Sequence, residues 1–179
     1  MIFRVDFCSG VFKNHHMFRK VIEARLPALR SLLAAKGAEG LLVAGPANRR
    51  YVSGFTADDP DWGMLLIAPE RALLFTDFRY KVWAEQEVTS FEVVVYKESL
   101  AKILPDYLRD LGLRRLGFEE AHFTCRQYQR LTRVVQEAGL EVEWLPLEGV
   151  VEELREVKAP VELAAIRGAL SLTETVFQQ

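Results

Sequence analysis

The sequence predicts an α/β fold: a mixed sheet with at least one antiparallel hairpin, flanked by helices. Three observations lead there. Short apolar runs alternate with stretches at helical spacing, the signature of layered strands and helices. Two of those runs, Met64 to Ala68 and Ala72 to Phe75, are joined by only Pro69, Glu70 and Arg71, a connection too short for anything but an antiparallel pair. No G-x-G-x-x-G or G-x-x-x-x-G-K-[ST] follows any strand, which removes the dinucleotide and phosphate-loop versions of a parallel sheet. At 179 residues, 50% of them hydrophobic and 27% charged, the chain has the size and composition of one main globular core.

The elements follow in order. Ile22, Leu26, Leu29 and Leu33 fall on one helical stripe between Met17 and Lys36, and Gly37 stands where a left-handed stop is favoured. Pro27 lies inside that pattern, so the helix either begins close before it or kinks there. Gly40 to Val43 is a buried strand closed by Gly45 and Pro46. After the hairpin, Asp77 reads as the N-cap of a helix over Phe78 to Val88, and Phe91 to Tyr96 is a β-branched strand. Leu100, Leu104, Tyr107 and Leu111 return to helix spacing around Pro105, and Leu116 to Phe118 is a short strand. Thr124 with Gln127 forms a capping box for a helix ending at Gly139, and Val142 to Leu145 completes the sheet. Val150 to Lys158 is a charged amphipathic stretch. A last helix starts at Pro160, with Glu162 favouring its N-terminal dipole. Leu163, Ile166, Leu170 and Phe177 mark one face of it, yet Val161, Ala165, Leu172 and Val176 make the other side apolar too. A helix apolar nearly all round needs burial on several sides, so something that should cover it is expected beyond these residues.

Charge excludes several functions. The formal net charge is −2, with 23 basic and 25 acidic residues, which gives no overall attraction to nucleic acid or to an anionic membrane. The first fifty residues carry nine basic and three acidic groups, the next fifty four and nine. The basic set lacks interleaved aromatics and reads as a solvated helix face. No apolar run approaches the ~18 residues of a membrane span, and residues 1–16 contain no continuous apolar signal core. Cys8 and Cys125 are far apart and outside any C-x-x-C, which suits a reducing compartment; the cytoplasm is the expected location.

Chemistry is sparse. His15, His16, His122, Cys8 and Cys125 show none of the spacings that converge on a metal ion. His122 sits in a loop between a strand and a helix, a place where structural histidines outnumber catalytic ones. Cys125 stands in a helix's first turn, where the dipole can lower a thiol pKa, but no histidine at a recognisable spacing accompanies it and a half-buried residue is the plainer reading. Ser53 precedes Gly54 without a G-x-S-x-G elbow. The segment Thr56 to Trp62 places Asp58, Asp59 and Asp61 around Pro60 beside Trp62. It reads either as a solvated acidic turn or as a mobile lip offering carboxylates to an amine and an indole face to an apolar or cationic group.

Pro46, Asn48, Tyr51, Ser53, Gly54 and Phe55, then Thr76, Asp77, Arg79 and Tyr80, then Gly117, Phe118 and Glu119, then Leu154, Arg155, Lys158 and Glu162 together resemble, in order and spacing, the N-terminal half of the creatinase, prolidase and Xaa-Pro aminopeptidase family. The resemblance runs from about Arg25 to the end, and the run at 74–80 is most similar to the bacterial Xaa-Pro peptidase branch. It implies residues 17–147 as a creatinase/prolidase N-terminal domain, 1–16 as a leader or extension, and 148–179 as a linker plus the first helix of a metallopeptidase domain absent here. In the family that absent domain holds two divalent metals (Mn, Co or Zn) through two Asp, one His and two Glu, so no catalytic or metal residue is expected in this chain. The resemblance further implies a homodimer, and proline-containing peptides as substrates only when a catalytic domain is present. It makes the loop bearing Phe55, Asp58, Asp59, Asp61 and Trp62 a substrate entrance near the partner subunit. Pro60 stands where the prolidase-like loop has a histidine, which puts dipeptide-only specificity in doubt. Asn48, Tyr51, Gly54, Asp77, Arg79, Tyr80, Glu119, Arg155, Lys158 and Glu162 are expected to act mainly structurally, with Asp77 capping a helix, Gly54 permitting a tight backbone, and Arg155 or Lys158 pairing near the hinge. The rival readings are a stand-alone ligand-binding or scaffold module and, further off, a thiol enzyme using Cys125.

Overall fold

A computed structural model describes residues 7–178, with side chains from Arg19 onward apart from Pro60. Helix α1 (Phe7–Ala35) leads into β1 (Gly40–Val43), α2 (Pro46–Ser53), the hairpin β2 (Met64–Ile67) and β3 (Ala72–Asp77), α3 (Lys81–Glu87) and β4 (Glu92–Tyr96). Helix α4 (Leu100–Asp110), β5 (Arg115–Glu119), α5 (Cys125–Glu137), β6 (Glu143–Leu147), α6 (Val150–Glu156) and α7 (Pro160–Phe177) complete it. The strands form one sheet in the order β4-β3-β2-β1-β5-β6. β2 is antiparallel to both β1 and β3, and the remaining neighbours are parallel. The mixed sheet expected from the hairpin is therefore present, with β2 alone reversed.

Strand alternation builds two cores. Leu41, Val43, Leu65, Ile67 and Leu74 turn to one face and meet Leu26, Leu29 and Leu33 of α1, Val52 of α2, Ala84 of α3, and Val150 and Val151 of α6. Leu42, Leu66, Leu73 and Phe75 turn to the other face, against Ala101, Leu104 and Leu108 of α4 and Leu131 and Val135 of α5. Each fully buried leucine or phenylalanine contributes roughly 1.5–3 kcal/mol relative to exposure. The period-2 alternation of strands pointing side chains to opposite faces sets this division.

Several expectations are corrected. Helix α1 runs through Pro27 rather than beginning beside it; packing of Leu26, Leu29 and Leu33 outweighs the one donor lost at the proline. Cys8, His15 and His16 lie outside the residues whose side chains are described. Asp77 does not cap a helix: it ends β3, its carboxylate accepts from the Arg79 backbone N–H (2.8 Å) and side chain, and α3 starts only at Lys81 behind Tyr80. Beyond the Gly45 and Pro46 punctuation, where no element is expected from the sequence, Pro46–Ser53 form α2, with Pro46 in its first turn and Gly54 closing it at φ +83°, the left-handed conformation glycine adopts without strain.

The last helix matches its expectation. Val161 of α7 is buried, but Leu163 (42%), Leu170 (57%), Leu172 (69%) and Phe177 (86%) stand exposed, so its apolar surface has no cover among the described residues.

Candidate functional site

The carboxyl ends of β1 and β5 lie side by side, and the reversed β2 begins at that same edge, opposite Val43 and Phe75. Two residue clusters gather there.

The first is the acidic loop, and it is tied down. Arg49 of α2 is fully buried and donates through Nη1 to the Gly63 carbonyl (2.5 Å) and through Nη2 to those of Ala57 (2.7 Å) and Asp59 (2.8 Å). Burial pulls the Arg49 pKa down while Asp59 and Asp58 oppose this; the guanidinium stays charged. The Thr56 backbone N–H (2.8 Å) and hydroxyl (2.6 Å) donate to Glu87. The Thr76 hydroxyl donates to the Trp62 carbonyl at 2.6 Å. Asp59 accepts from the Asp61 N–H at 2.8 Å. The lip is thus held at both ends, with the carboxylates of Asp58 and Asp61 exposed. Nor is the Trp62 indole an open platform: Tyr80 stacks on it at 4.9 Å between centroids, and Trp83 stands 6.2 Å away. Phe55 is core, edge-on to Trp83.

The second cluster joins the sheet to α6. Glu119, at the end of β5, is buried and accepts from the backbone N–H groups of Ala44 (2.7 Å) and Gly45 (2.8 Å) and from Asn48 Nδ2 (2.6 Å). Burial pushes its pKa up, against those hydrogen bonds. Asn48 Nδ2 also donates to Glu152 Oε1 (2.5 Å), and Arg155 donates to Asn48 Oδ1 (2.8 Å). His122 Nε2 lies 3.7 Å from Glu152 Oε1. One ligand atom from each of Glu119, His122 and Glu152 falls within 4.8 Å of the others. Among the described residues this is the group whose donor types suit a metal ion.

Between α1 and the start of α7, the Arg25 guanidinium lies 3.7 Å over the Tyr51 ring and bonds Glu162 at 2.8 Å. The Tyr51 hydroxyl donates to the Leu154 carbonyl at 2.8 Å. Glu162 also accepts from the Ala159 N–H. Among the described residues Lys158 pairs with no carboxylate; its ammonium donates to the carbonyls of Arg155 and Glu156 at the end of α6. Cys125, expected half-buried, is exposed, and no described contact joins it to a histidine.

Sequence reasoning named Asn48, Glu119 and Arg155 but missed Arg49, His122 as a member of this cluster, and Glu152. Had residues 46–53 been read as a helix, its period would have put Arg49 beside the buried Val52 and Ser53. Glu119 and His122 at i, i+3 were a weak local signal, whereas Glu152 lies too far along the chain to be linked by spacing.

The Asp77–Arg79 contact carries a pH prediction. Its hydrogen bonds to Arg79 hold the Asp77 carboxyl below the usual carboxylate range. The stabilisation is therefore complete above the unfolded value of about 3.9 and is lost as pH falls through the lower folded value. Arg79 is exposed, so solvent screens the contact and the contribution is small. In urea unfolding, the wild type should be more stable than Asp77→Asn at neutral pH, and the gap should close as pH falls below the ordinary carboxylate range.

The architecture is that of a two-faced, helix-flanked domain. Residues 25–157 match the family model described as the creatinase/prolidase N-terminal domain, and the chain belongs to that family. It is 31% identical over 154 residues to an uncharacterised peptidase, YqhT, of Bacillus subtilis (strain 168), a match covering 86% of this chain and 42% of that relative. The chain thus spans about two fifths of the curated relative it matches. Among solved structures it is similar to an Xaa-Pro dipeptidase from Bacillus anthracis, at 27% identity and a TM-score of 0.79, covering 88% of this chain and 42% of the other. It is also similar to the N-terminal domain of the cytoplasmic peptidase PepQ from Mycobacterium tuberculosis H37Rv, at 29% identity and a TM-score of 0.65, covering 73% of this chain and 98% of the other.

Proposed function

We propose that this chain is the non-catalytic N-terminal domain of a cytoplasmic Xaa-Pro peptidase, which supports dimerisation and shapes the substrate entrance while a second, metal-bearing domain hydrolyses the peptide. The observation that carries the reading is α7: its apolar residues have no cover among the described residues, and this chain covers only 42% of the length of the relatives it matches. Burying such a surface against a following domain removes it from water at roughly 25 cal/mol per Å². Arg25, Tyr51 and Glu162 fix the angle at which α7 leaves. Two divalent metals would sit in that second domain, activating water and polarising the scissile carbonyl.

The entrance role rests on the pinned loop. With its backbone held by Arg49, Glu87 and Thr76, the loop offers Asp58 and Asp61 as fixed negative charges suited to a peptide's amino terminus. A chimera tests it, in which this chain replaces the matching part of the Bacillus subtilis relative. Changing Asp58 and Asp61 together to asparagine should raise KM for an Xaa-Pro peptide about three- to tenfold with kcat held, as expected for partly screened charge contacts. An unchanged KM removes the loop from substrate recognition.

A further inference from the structure

We propose that Glu119, His122 and Glu152 bind one divalent transition-metal ion, with zinc(II) the best match to an imidazole and two carboxylates. The ion would fasten α6 to the carboxyl edge of the sheet.

Topology supplies the first argument. From β1 the chain proceeds to β2, β3 and β4 on one side, then returns to place β5 and β6 on the other. The gap between β1 and β5 is therefore the point where strand order reverses, and open α/β sheets bind ligands in the crevice outside the carboxyl ends of strands at that point. Ala44 and Gly45 follow β1, Glu119 ends β5, and the Glu119 carboxylate spans from one to the other.

The donors come from separate parts of the chain. Glu119 closes a strand, His122 lies three residues on in the loop, and Glu152 belongs to the first turn of α6. Their ligand atoms lie within 4.8 Å of one another. Metal bonds of about 2.1 Å in a tetrahedral site place donors about 3.4 Å apart, so the three donors close by at most about 1.4 Å from their 4.8 Å limit, a shift that falls on His122 and Glu152, both partly exposed. Glu119 stays put.

The surroundings are those that orient metal ligands. Ligating carboxylates are usually held by hydrogen bonds from an outer shell. Here one amide, Asn48 Nδ2, donates to both Glu119 Oε1 and Glu152 Oε1, and Arg155 fixes that amide through Oδ1. Each of those carboxylate oxygens retains a lone pair. Gly45 completes the cradle: a Cβ there would approach His122 Cδ2 to 2.4 Å, so the imidazole can lie against the backbone with Nε2 toward Glu152 only because residue 45 has no side chain. This assignment goes beyond the peptidase reading and does not depend on it.

Isothermal titration of the full chain with zinc chloride at neutral pH is the test, with cobalt(II) absorption reporting coordination geometry. One ion per chain is expected, and His122→Ala and Glu152→Gln should each weaken binding at least tenfold while circular dichroism stays unchanged. Absence of saturable binding overturns the proposal. So does binding of equal affinity in the His122→Ala chain, which would place the ion elsewhere and leave the three residues as a hydrogen-bonded clasp.

Discussion

Arg49→Met should lower the stability of the domain by about 3–5 kcal/mol, the usual cost of removing one partner from a buried charged network. The guanidinium is fully buried and serves three carbonyls, those of Ala57, Asp59 and Gly63. Methionine fills much of the volume but donates to none of them, so the loop must unfold toward water to satisfy its own backbone. With a urea m-value of about 2 kcal/mol/M, the unfolding midpoint should fall by about 2 M. Arg49→Lys should lie between, because an ammonium keeps the charge but lacks the planar fork that reaches several acceptors. Near-ultraviolet circular dichroism gives a second readout, since Trp62 is stacked on Tyr80 and its carbonyl is fixed by Thr76. A change confined to a few tenths of a kcal/mol would show that the loop is not held by Arg49.

The second large effect is expected at Glu119. Glu119→Ala leaves the Ala44 and Gly45 N–H groups and one Asn48 amide hydrogen without their acceptor, at a cost of about 2–4 kcal/mol in equilibrium unfolding. Relief of the desolvated carboxylate offsets part of the loss, since burial already disfavours its charged form. Glu119→Gln should cost less, about 1–2 kcal/mol. Its carbonyl can serve the two backbone donors, but its amide then faces Asn48 Nδ2, and turning the Asn48 amide would oppose Arg155. A Glu119→Gln chain as unstable as Glu119→Ala would contradict this ordering.

How far the sequence reveals this depends on whether information is local. The hairpin, the capping box at Thr124 and the strands at 40–43, 92–96 and 115–119 were legible because turn length, caps and apolar runs act over a few residues. Asp77 misled because a short polar residue before a helical pattern serves equally as a cap or as an acceptor for Arg79; tertiary packing of β3 against β4 as far as Tyr96 decided it. Pro27 left open a helix start or a kink, and the start is excluded because the buried leucines around it carry α1 through the proline. The site was half visible. Asn48, Glu119 and Arg155 stood out together only as parts of a motif set, whereas Arg49 and Arg50 are adjacent and chemically alike, and only the period of α2 makes one buried and the other exposed. Glu152 reaches the crevice through sheet topology, which no spacing rule encodes.

The most direct measurement compares hydrolysis of an Xaa-Pro peptide, with manganese supplied, by the isolated chain and by the chimera carrying it in the Bacillus subtilis relative. Turnover by the chimera alone is the predicted result. Turnover by the isolated chain would contradict its assignment as a domain without catalytic machinery.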